Sequence, residues 1–166
     1  MHKKHLRIIL WSLAAGIAVF IFIMSSRDST QSSNTSSGFI KAVVDALPHL
    51  KNLSDEQKLN IVAEMQFIVR KMAHGAIYFL LGLVTSLAML CYEIKLWKRP
   101  AISLGICLLY AVSDEIHQLF VPGRSGEIRD VLIDFTGALT ATMLVLLVRF
   151  ITVKKRKPRP EVRVNI

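Results

Sequence analysis

Residues 101–153 read AISLGICLLYAVSDEIHQLF VPGRSGEIRD VLIDFTGALTATMLVLLVRFITV and contain two apolar runs, 101–120 and 131–153, around a short polar turn. Each run has about 20 residues, and at ~1.5 Å per residue a helix of that length crosses a ~30 Å hydrocarbon core. Pro122-Gly123 suits a type II turn, in which glycine takes the positive φ. Because this connection is short, the two helices must be neighbours in a membrane hairpin.

Two further apolar runs precede the hairpin, at residues 8–24 and 73–92. The first follows a basic start and so resembles a secretory signal, but no A-x-A cleavage site follows it. We interpret it as an uncleaved helix, with cleavage as the alternative. The sequence therefore predicts an all-α membrane bundle of four transmembrane helices, near 8–24, 73–92, 101–120 and 131–153.

The segment between the first two runs is more polar. Its Ser/Thr-rich beginning, 25–38, predicts a loop, and the apolar spacing of 39–47 predicts a short helix on the bilayer surface. Ser54 and Gln57 form a capping box, which predicts the start of a helix that leads toward the second run.

Charge predicts the orientation of the bundle. Residues 1–7, 93–100 and 154–166 hold twelve Lys or Arg in 28 residues, against eight in 58 for residues 25–72 and 121–130. Positive charge concentrates on the cytoplasmic side of membrane proteins, so we expect both ends in the cytoplasm. The predicted organisation is a cytoplasmic N-terminus at 1–7, a membrane domain at 8–153 with an extracytoplasmic loop at 25–72, and a basic cytoplasmic tail at 154–166.

The net charge of +9 by itself would suggest a nucleic-acid partner. We exclude that class because most of the excess lies beside apolar runs, and the chain has no separate basic domain. The two cysteines, Cys91 and Cys107, lie inside or at the end of apolar runs and indicate no disulfide framework.

Polar residues interrupt the last three runs, and with the predicted orientation they all lie at the extracytoplasmic end. They are His74 in the second run, Asp114, Glu115, His117 and Gln118 in the third, and Asp134 in the fourth. An acid at the centre of a membrane helix costs roughly 2.5–3.5 kcal/mol on an insertion scale. Such residues are therefore expected to face the bundle interior with partners, in one shared pocket.

Helical spacing divides the pocket residues into shared faces. The three sets are Arg70, His74 and Tyr78 on the second helix, Asp114, His117 and Gln118 on the third, and Asp130, Asp134 and Gly137 on the fourth. Glu115 points elsewhere, to a neighbouring helix or to the surface loop.

These residue types fit chemistry on a lipid-linked phosphate at the outer leaflet. Arginines bind phosphate with paired hydrogen bonds, and a histidine oriented by a carboxylate acts as base or nucleophile. The candidate catalytic residues are His74, Asp114, Glu115, His117 and Asp134, with either histidine as the base and Asp114 or Asp134 orienting it. The candidate substrate-binding residues are Arg70, Tyr78, Gln118, Arg124 and Asp130, of which the two arginines would hold the phosphate.

Other interpretations of the pocket stay open. A divalent metal held by Asp114, Glu115, Asp130 or Asp134 is one, although no spacing here is diagnostic of a metal site. The pocket also suits a non-catalytic protein that binds an anionic lipid, a wall precursor, a lipoglycopeptide or a partner protein. In a purely structural cluster, Asp130 would stabilise a helix N-terminus and Asp134 would pair with Arg124 or His74. Lys71 is interpreted as a head-group anchor.

Three motifs together resemble the VanZ-like family. They are Arg70-Lys-Met-Ala-His74…Tyr78, Tyr110-Ala-x-x-Asp114-Glu-x-His-Gln118-x-Phe-Val-Pro-Gly-Arg124 and Asp130-Val-x-x-Asp134-x-x-Gly137. The resemblance covers about residues 25–149. The Ser25-Ser26 pair also resembles the family pattern, but Arg27 stands where that pattern has Gln, so no role is carried over there.

The resemblance implies a multi-pass protein of the bacterial cell membrane, with four to five helices and a link to low-level glycopeptide resistance. It implies no settled activity and no certain cofactor. The polar motif also resembles, loosely, the sites of membrane enzymes that transfer lipid head groups. The implied partners are membrane lipids, a lipid-linked cell-wall precursor or a lipoglycopeptide, and no nucleic acid.

Overall fold

A computed structural model describes residues 2–48 and 53–156. The regular structure of these residues is entirely helical: α1 (His2–Ser25), α2 (Ser29–Ala46), α3 (Asp55–Leu90), α4 (Lys98–Gln118) and α5 (Ile128–Arg156). The predicted all-α fold is thus confirmed. Most of the predicted basic tail lies beyond residue 156 and outside the described residues.

Three of these helices, α1, α3 and α5, are long and apolar enough to cross a membrane, over Lys3–Ser25, Asp55–Leu90 and Ile128–Lys154. The helix α4 has 21 residues and lies where the third span was predicted. Its ends carry charged residues, among them Lys98, Arg99, Asp114 and Glu115, and it does not reach the same apolar composition. Among the residues described, three of the four predicted spans are therefore supported.

The capping box starts α3 as predicted. Gln57 N donates to Ser54 Oγ at 3.3 Å, and Ser54 N donates to Gln57 Oε1 at 3.0 Å. The helix then continues without a break for 36 residues, which is about 54 Å at ~1.5 Å per residue. Because this exceeds the ~30 Å hydrocarbon core, α3 extends well beyond the predicted span at 73–92.

The predicted loop at 25–38 is wrong over most of its length, because α2 begins at Ser29. The hydroxyls of Ser36 and Ser37 each donate to the carbonyl four residues earlier, at 3.0 and 2.9 Å, and so stay within the helix. The side chain of Gln66 in α3 donates to Ser33 O at 2.9 Å. These contacts with α3 outweigh the weak helix propensity of serine.

An apolar contact completes the packing of α2 on α3. Ile40 and Val44 of α2 are buried against Val62 of α3. The predicted extracytoplasmic loop at 25–72 therefore contains α2 and the first part of α3, and the short helix predicted at 39–47 is the second half of α2.

Glycines let α3 and α5 pack closely. A Cβ added at Gly82 would lie 2.6 Å from Ala138 Cα, and one added at Gly137 would overlap the Gly75 carbonyl oxygen. Small residues serve this purpose in membrane helices, where close backbone approach replaces the hydrophobic driving force.

Buried hydroxyls connect the three C-terminal helices. Thr85 Oγ1 lies 2.8 Å from Ser103 Oγ, and Ser86 Oγ lies 3.0 Å from Ser103 Oγ and 2.9 Å from Thr142 Oγ1. Each hydroxyl thus has a partner across a helix interface, which sets the rotation of α4 and α5 against α3.

The turn between α4 and α5 has the predicted form. Arg124 N donates to Val121 O at 3.2 Å, and Gly123 has a φ of 72°. This turn brings the end of α4 beside the start of α5. Ser25 at the end of α1 and His74 in α3 lie at the same end of the bundle, which we call the polar end.

Candidate functional site

One residue from each of α3, α4 and α5 meets at the polar end. His74, Asp114 and Asp134 each place a ligand atom within 4.8 Å of the others. Asp114 is 4% exposed and Asp134 is 2% exposed, so neither acid faces lipid. These three residues, the His-Asp-Asp cluster, were all predicted for the pocket, and the structure brings them together.

Neutral donors hold Asp114. Ser25 Oγ donates to Asp114 Oδ2 at 2.9 Å, and Gln118 Nε2 donates to the same oxygen at 3.3 Å. The Gln118 amide also lies 3.4 Å from Ser25 Oγ. The carboxylate is therefore positioned by α1 and by its own helix.

Two buried polar atoms beside this carboxylate lack a hydrogen bond. Asp134 Oδ1 has none, since the nearest nitrogen of His74, Nδ1, is 4.0 Å away. The hydroxyl of Tyr78, one helical turn beyond His74, is fully buried and has no hydrogen bond either. Buried polar atoms in proteins nearly always have partners, so these two mark the site as built for something besides packing.

Two cavities border the cluster at His74, whereas the buried Asp114 and Asp134 line neither of them. The larger, which we call the apolar groove, has a volume of about 380 Å³ and lies between α1, α2 and α3. The smaller, the polar cavity, has about 120 Å³ and lies between α3 and the turn before α5. The lining of both includes Arg70, His74 and Arg124, so these side chains stand where the two cavities adjoin.

The arginines at this junction are not neutralised. Arg70, Arg124 and Arg27, which also lines the apolar groove, form no ion pair within 4.0 Å in the described part of the chain. Burial and the positive charge of Arg70 lower the pKa of Arg124 from its ordinary value. Positive charge that is crowded and partly desolvated in this way favours the binding of an anion.

Lys71 does not have the surroundings expected of a head-group anchor. Its ammonium pairs with Asp130 and lies 3.7 Å from Glu127 Oε2, and its side chain is only 14% exposed. Asp130 lines the polar cavity, as does Gln118, but its charge is already balanced by Lys71.

The structure leaves two of the candidate catalytic residues outside the cluster. Glu115 accepts a hydrogen bond from Glu127 N and so ties the end of α4 to the following turn, as its helical position predicted. His117 contacts α1 instead: its ring stacks on Phe22 with centroids 4.6 Å apart, and its Nε2 lies 3.0 Å from Ser26 Oγ. It lines neither cavity.

The Ser26–His117 pair is not arranged as an activated nucleophile. Ser26 Oγ donates its single proton to Phe22 O at 2.7 Å. His117 Nε2 must therefore donate to Ser26 rather than accept from it, and a base that holds its own proton cannot take that of the serine.

Sequence reasoning missed three site residues at the end of α1, namely Ser25, Ser26 and Arg27. The one sequence feature that could have indicated them was the Ser25-Ser26 pair, which is part of the family pattern. Its partners lie 89 and 91 residues away along the chain, and helical spacing within one helix carries no information on such contacts.

The fold and site define a class: an integral membrane helical bundle with a buried polar cluster that opens into an apolar groove. Residues 10–149 match the family described as VanZ/LLP1, and the chain belongs to that family. The resemblance seen in the three motifs is thus confirmed. No curated protein and no solved structure matches the chain.

Proposed function

We propose that the polar end binds the phosphate-containing head group of a lipid, or a lipid-linked cell-wall precursor, at the outer leaflet and transfers or hydrolyses that group. The observation that carries this proposal is the junction of the two cavities, where Arg70 and Arg124, which form no ion pair with the described residues, line both cavities together with His74 of the His-Asp-Asp cluster. This arrangement matches an amphiphile with a long chain and an anionic head.

The apolar groove suits the lipid chain. Its walls include Phe20, Ile21 and Met24 of α1, Phe39 of α2 and Ile77 of α3. A groove that is apolar along its walls and cationic at one end orients a lipid phosphate, because only the head group gains from the charged end.

The arginines suit the phosphate. A guanidinium offers several donors in a planar fork and binds phosphate oxygens in pairs, which a lysine cannot do. Arg70 and Arg124 line both cavities, so a phosphate between them would lie next to His74.

His74 is the residue best placed for proton transfer. Its Nδ1 lies 4.0 Å from Asp134 Oδ1, and Nε2 would accept the proton of an attacking water or alcohol. The oxygen of that nucleophile forms the new bond to phosphorus, the alcohol of the original ester leaves, and the leaving oxygen takes the proton from His74. The arginines stabilise the charge that builds on the phosphate.

The second candidate function is binding without turnover, of an anionic lipid or a lipoglycopeptide antibiotic, with a contribution to glycopeptide resistance. The distance of 4.0 Å between His74 and Asp134 favours this alternative, because it exceeds a hydrogen bond and leaves the base unoriented. Catalytic hydrogen bonds often tighten only when substrate binds, so measured turnover separates the two functions.

Lipid binding is predicted to depend on the arginines. Arg70→Gln and Arg124→Gln should each weaken binding of short-chain phosphatidic acid or polyprenyl phosphate by about tenfold to hundredfold, since hydrogen bonds to charged groups contribute ~1.5–3 kcal/mol. Binding to the protein in nanodiscs is measured, with diacylglycerol as the neutral competitor. The matched control is Arg129→Gln, an exposed arginine near the same turn that lines neither cavity. Equal losses in the control and in both variants would contradict a specific phosphate site.

The orientation is part of the proposal. With α4 as a fourth span, both ends lie in the cytoplasm of a bacterial cell and the polar end faces outward. After replacement of Cys91 and Cys107, an impermeant thiol reagent added to intact cells is expected to label Ser125→Cys but not Trp97→Cys. Both positions are exposed in the structure, so accessibility within the fold is matched. Labelling at position 97 alone would reverse the orientation.

A further inference from the structure

The His-Asp-Asp cluster consists of side chains that commonly bind metals, and they come from three different helices. Their ligand atoms lie within 4.8 Å of one another in a region almost closed to solvent. We infer that His74, Asp114 and Asp134 bind one divalent cation of the Mn²⁺ or Zn²⁺ type, beneath the arginines of the two cavities.

An independent observation points to a ligand at this position. Only 2% of the surface of Asp134 is exposed. Its Oδ1 has no hydrogen-bond partner among the described residues, although Asp134 belongs to the cluster. A carboxylate removed from water without a partner is costly. A bound cation supplies the missing partner.

The chain's own cations do not take this role. No Lys or Arg nitrogen lies within 4.0 Å of Asp114 or Asp134 in the described ranges 2–48 and 53–156. Lys71 is bound to Asp130 instead. Ser25 and Gln118 hold one oxygen of Asp114 but bring no charge, so no lysine or arginine of the described residues compensates the two acids.

The ligand set selects the kind of cation. Ca²⁺ requires six to eight oxygen ligands, and Mg²⁺ sites rarely use imidazole. One imidazole and two carboxylates suit Zn²⁺ or Mn²⁺, with water or a substrate oxygen at the open positions. Metal–ligand distances of ~2.0–2.2 Å require ligand atoms closer together than 4.8 Å, so binding draws the three side chains inward.

The cation also has a place in the proposed function. With the cation bound, His74 would serve as a ligand rather than as the base; the cation would polarise an oxygen of a phosphate held by Arg70 and Arg124 and would activate a bound water in place of His74. That role rests on the proposed function, whereas the cation site rests only on the three side chains and their burial.

The test is metal binding by the full chain in nanodiscs after chelator treatment. Titration with Mn²⁺, followed by electron paramagnetic resonance, is expected to show one bound ion per chain, displaced by Zn²⁺, with nitrogen hyperfine coupling from an imidazole. Asp134→Asn should weaken Mn²⁺ affinity by about a hundredfold or more, since changes at metal-site residues even outside direct contact cost ~10–100-fold. In His74→Ala the nitrogen coupling should disappear.

The matched control is Asp45→Asn, the same chemical change at an exposed position of α2 that pairs only with Lys58 at 3.5 Å. It should bind Mn²⁺ like the parent. Thermal unfolding in metal-free buffer shows whether Asp134→Asn is folded, and Mn²⁺ should raise the unfolding temperature of the parent and of Asp45→Asn but not of Asp134→Asn.

Two results would overturn the cation site: a parent protein that binds neither Mn²⁺ nor Zn²⁺, or a folded Asp134→Asn that binds Mn²⁺ as well as the parent. Polyprenyl phosphate binding is measured on the same samples with and without Mn²⁺. If the cation binds and the lipid does not, the proposed function fails and the cation site stands. If the lipid binds and the cation does not, the cation site fails and the proposed lipid binding stands.

Discussion

Replacing His74 with alanine is expected to lower the turnover of a lipid phosphate by about a hundredfold to ten-thousandfold, the range that general acid–base catalysis contributes. Asp114→Asn should have a similar effect, because the neutral amide keeps the contacts to Ser25 and Gln118 but removes the charge from the cluster. Turnover is measured on polyprenyl phosphate and glycerophospholipid substrates in nanodiscs, and membrane insertion is checked by fractionation.

The controls separate the two histidines proposed from the sequence. His117→Ala should retain most turnover, because His117 lies outside the His-Asp-Asp cluster and packs on Phe22 of α1. His5→Ala, at an exposed position in the first turns of α1, controls for histidine loss in general. If His74→Ala and Asp114→Asn both insert and turn over substrate like the parent, the cluster is structural and the enzyme interpretation fails with it.

Local patterns predicted the helices well where the pattern lay within one helix. The apolar runs located α1, α3 and α5, and the capping box located the start of α3 to within a residue. The helix α2 was missed over its serine-rich first half, because its stability comes from Gln66 and the apolar contact with α3. Four spans were expected from four runs, whereas the charged ends of α4 leave it short of the composition of a span.

The sequence predicted which polar residues form the site, because buried polar residues on different helices need one another as partners. Insertion cost correctly placed Asp114 and Asp134 in the interior, at one end of the bundle. It did not identify the partners: Asp114 is held by Ser25, which lies 89 residues away along the chain. His117 was assigned to the face of Asp114 from spacing, and both residues do contact the end of α1, through Ser26 and Ser25. Only Asp114 also reaches His74 and Asp134, which spacing within one helix could not distinguish.

The same geometry explains why Lys71 was misjudged. A lysine beside an apolar run was expected to extend to the head groups, but in the structure Lys71 of α3 pairs with Asp130 near the start of α5. The pair closes the polar cavity on one side and leaves Arg70, the adjacent residue, without a carboxylate. Arg70 and Lys71 are adjacent in α3 and yet have different surroundings. The spacing of residues within one helix could not predict this difference.

Gly137→Leu is expected to separate α3 from α5 and to destabilise the whole bundle. Even a Cβ at this position would overlap the carbonyl oxygen of Gly75, which belongs to a helix backbone and cannot rotate away. Overpacking costs ~1–3 kcal/mol where side chains can adjust, and more where they cannot. Because Asp134 lies one turn before Gly137, the same shift should also move it from His74 and weaken binding of Mn²⁺.

The measurement is thermal unfolding in nanodiscs together with Mn²⁺ titration. The matched control is Gly105→Leu in α4, where an added Cβ meets nothing within 4 Å and leucine is the better helix former. That control should unfold at or above the temperature of the parent and bind Mn²⁺ equally well. If Gly137→Leu unfolds at the same temperature as Gly105→Leu, the close contact between α3 and α5 does not hold the bundle together, and the position of Asp134 beside His74 must have another cause.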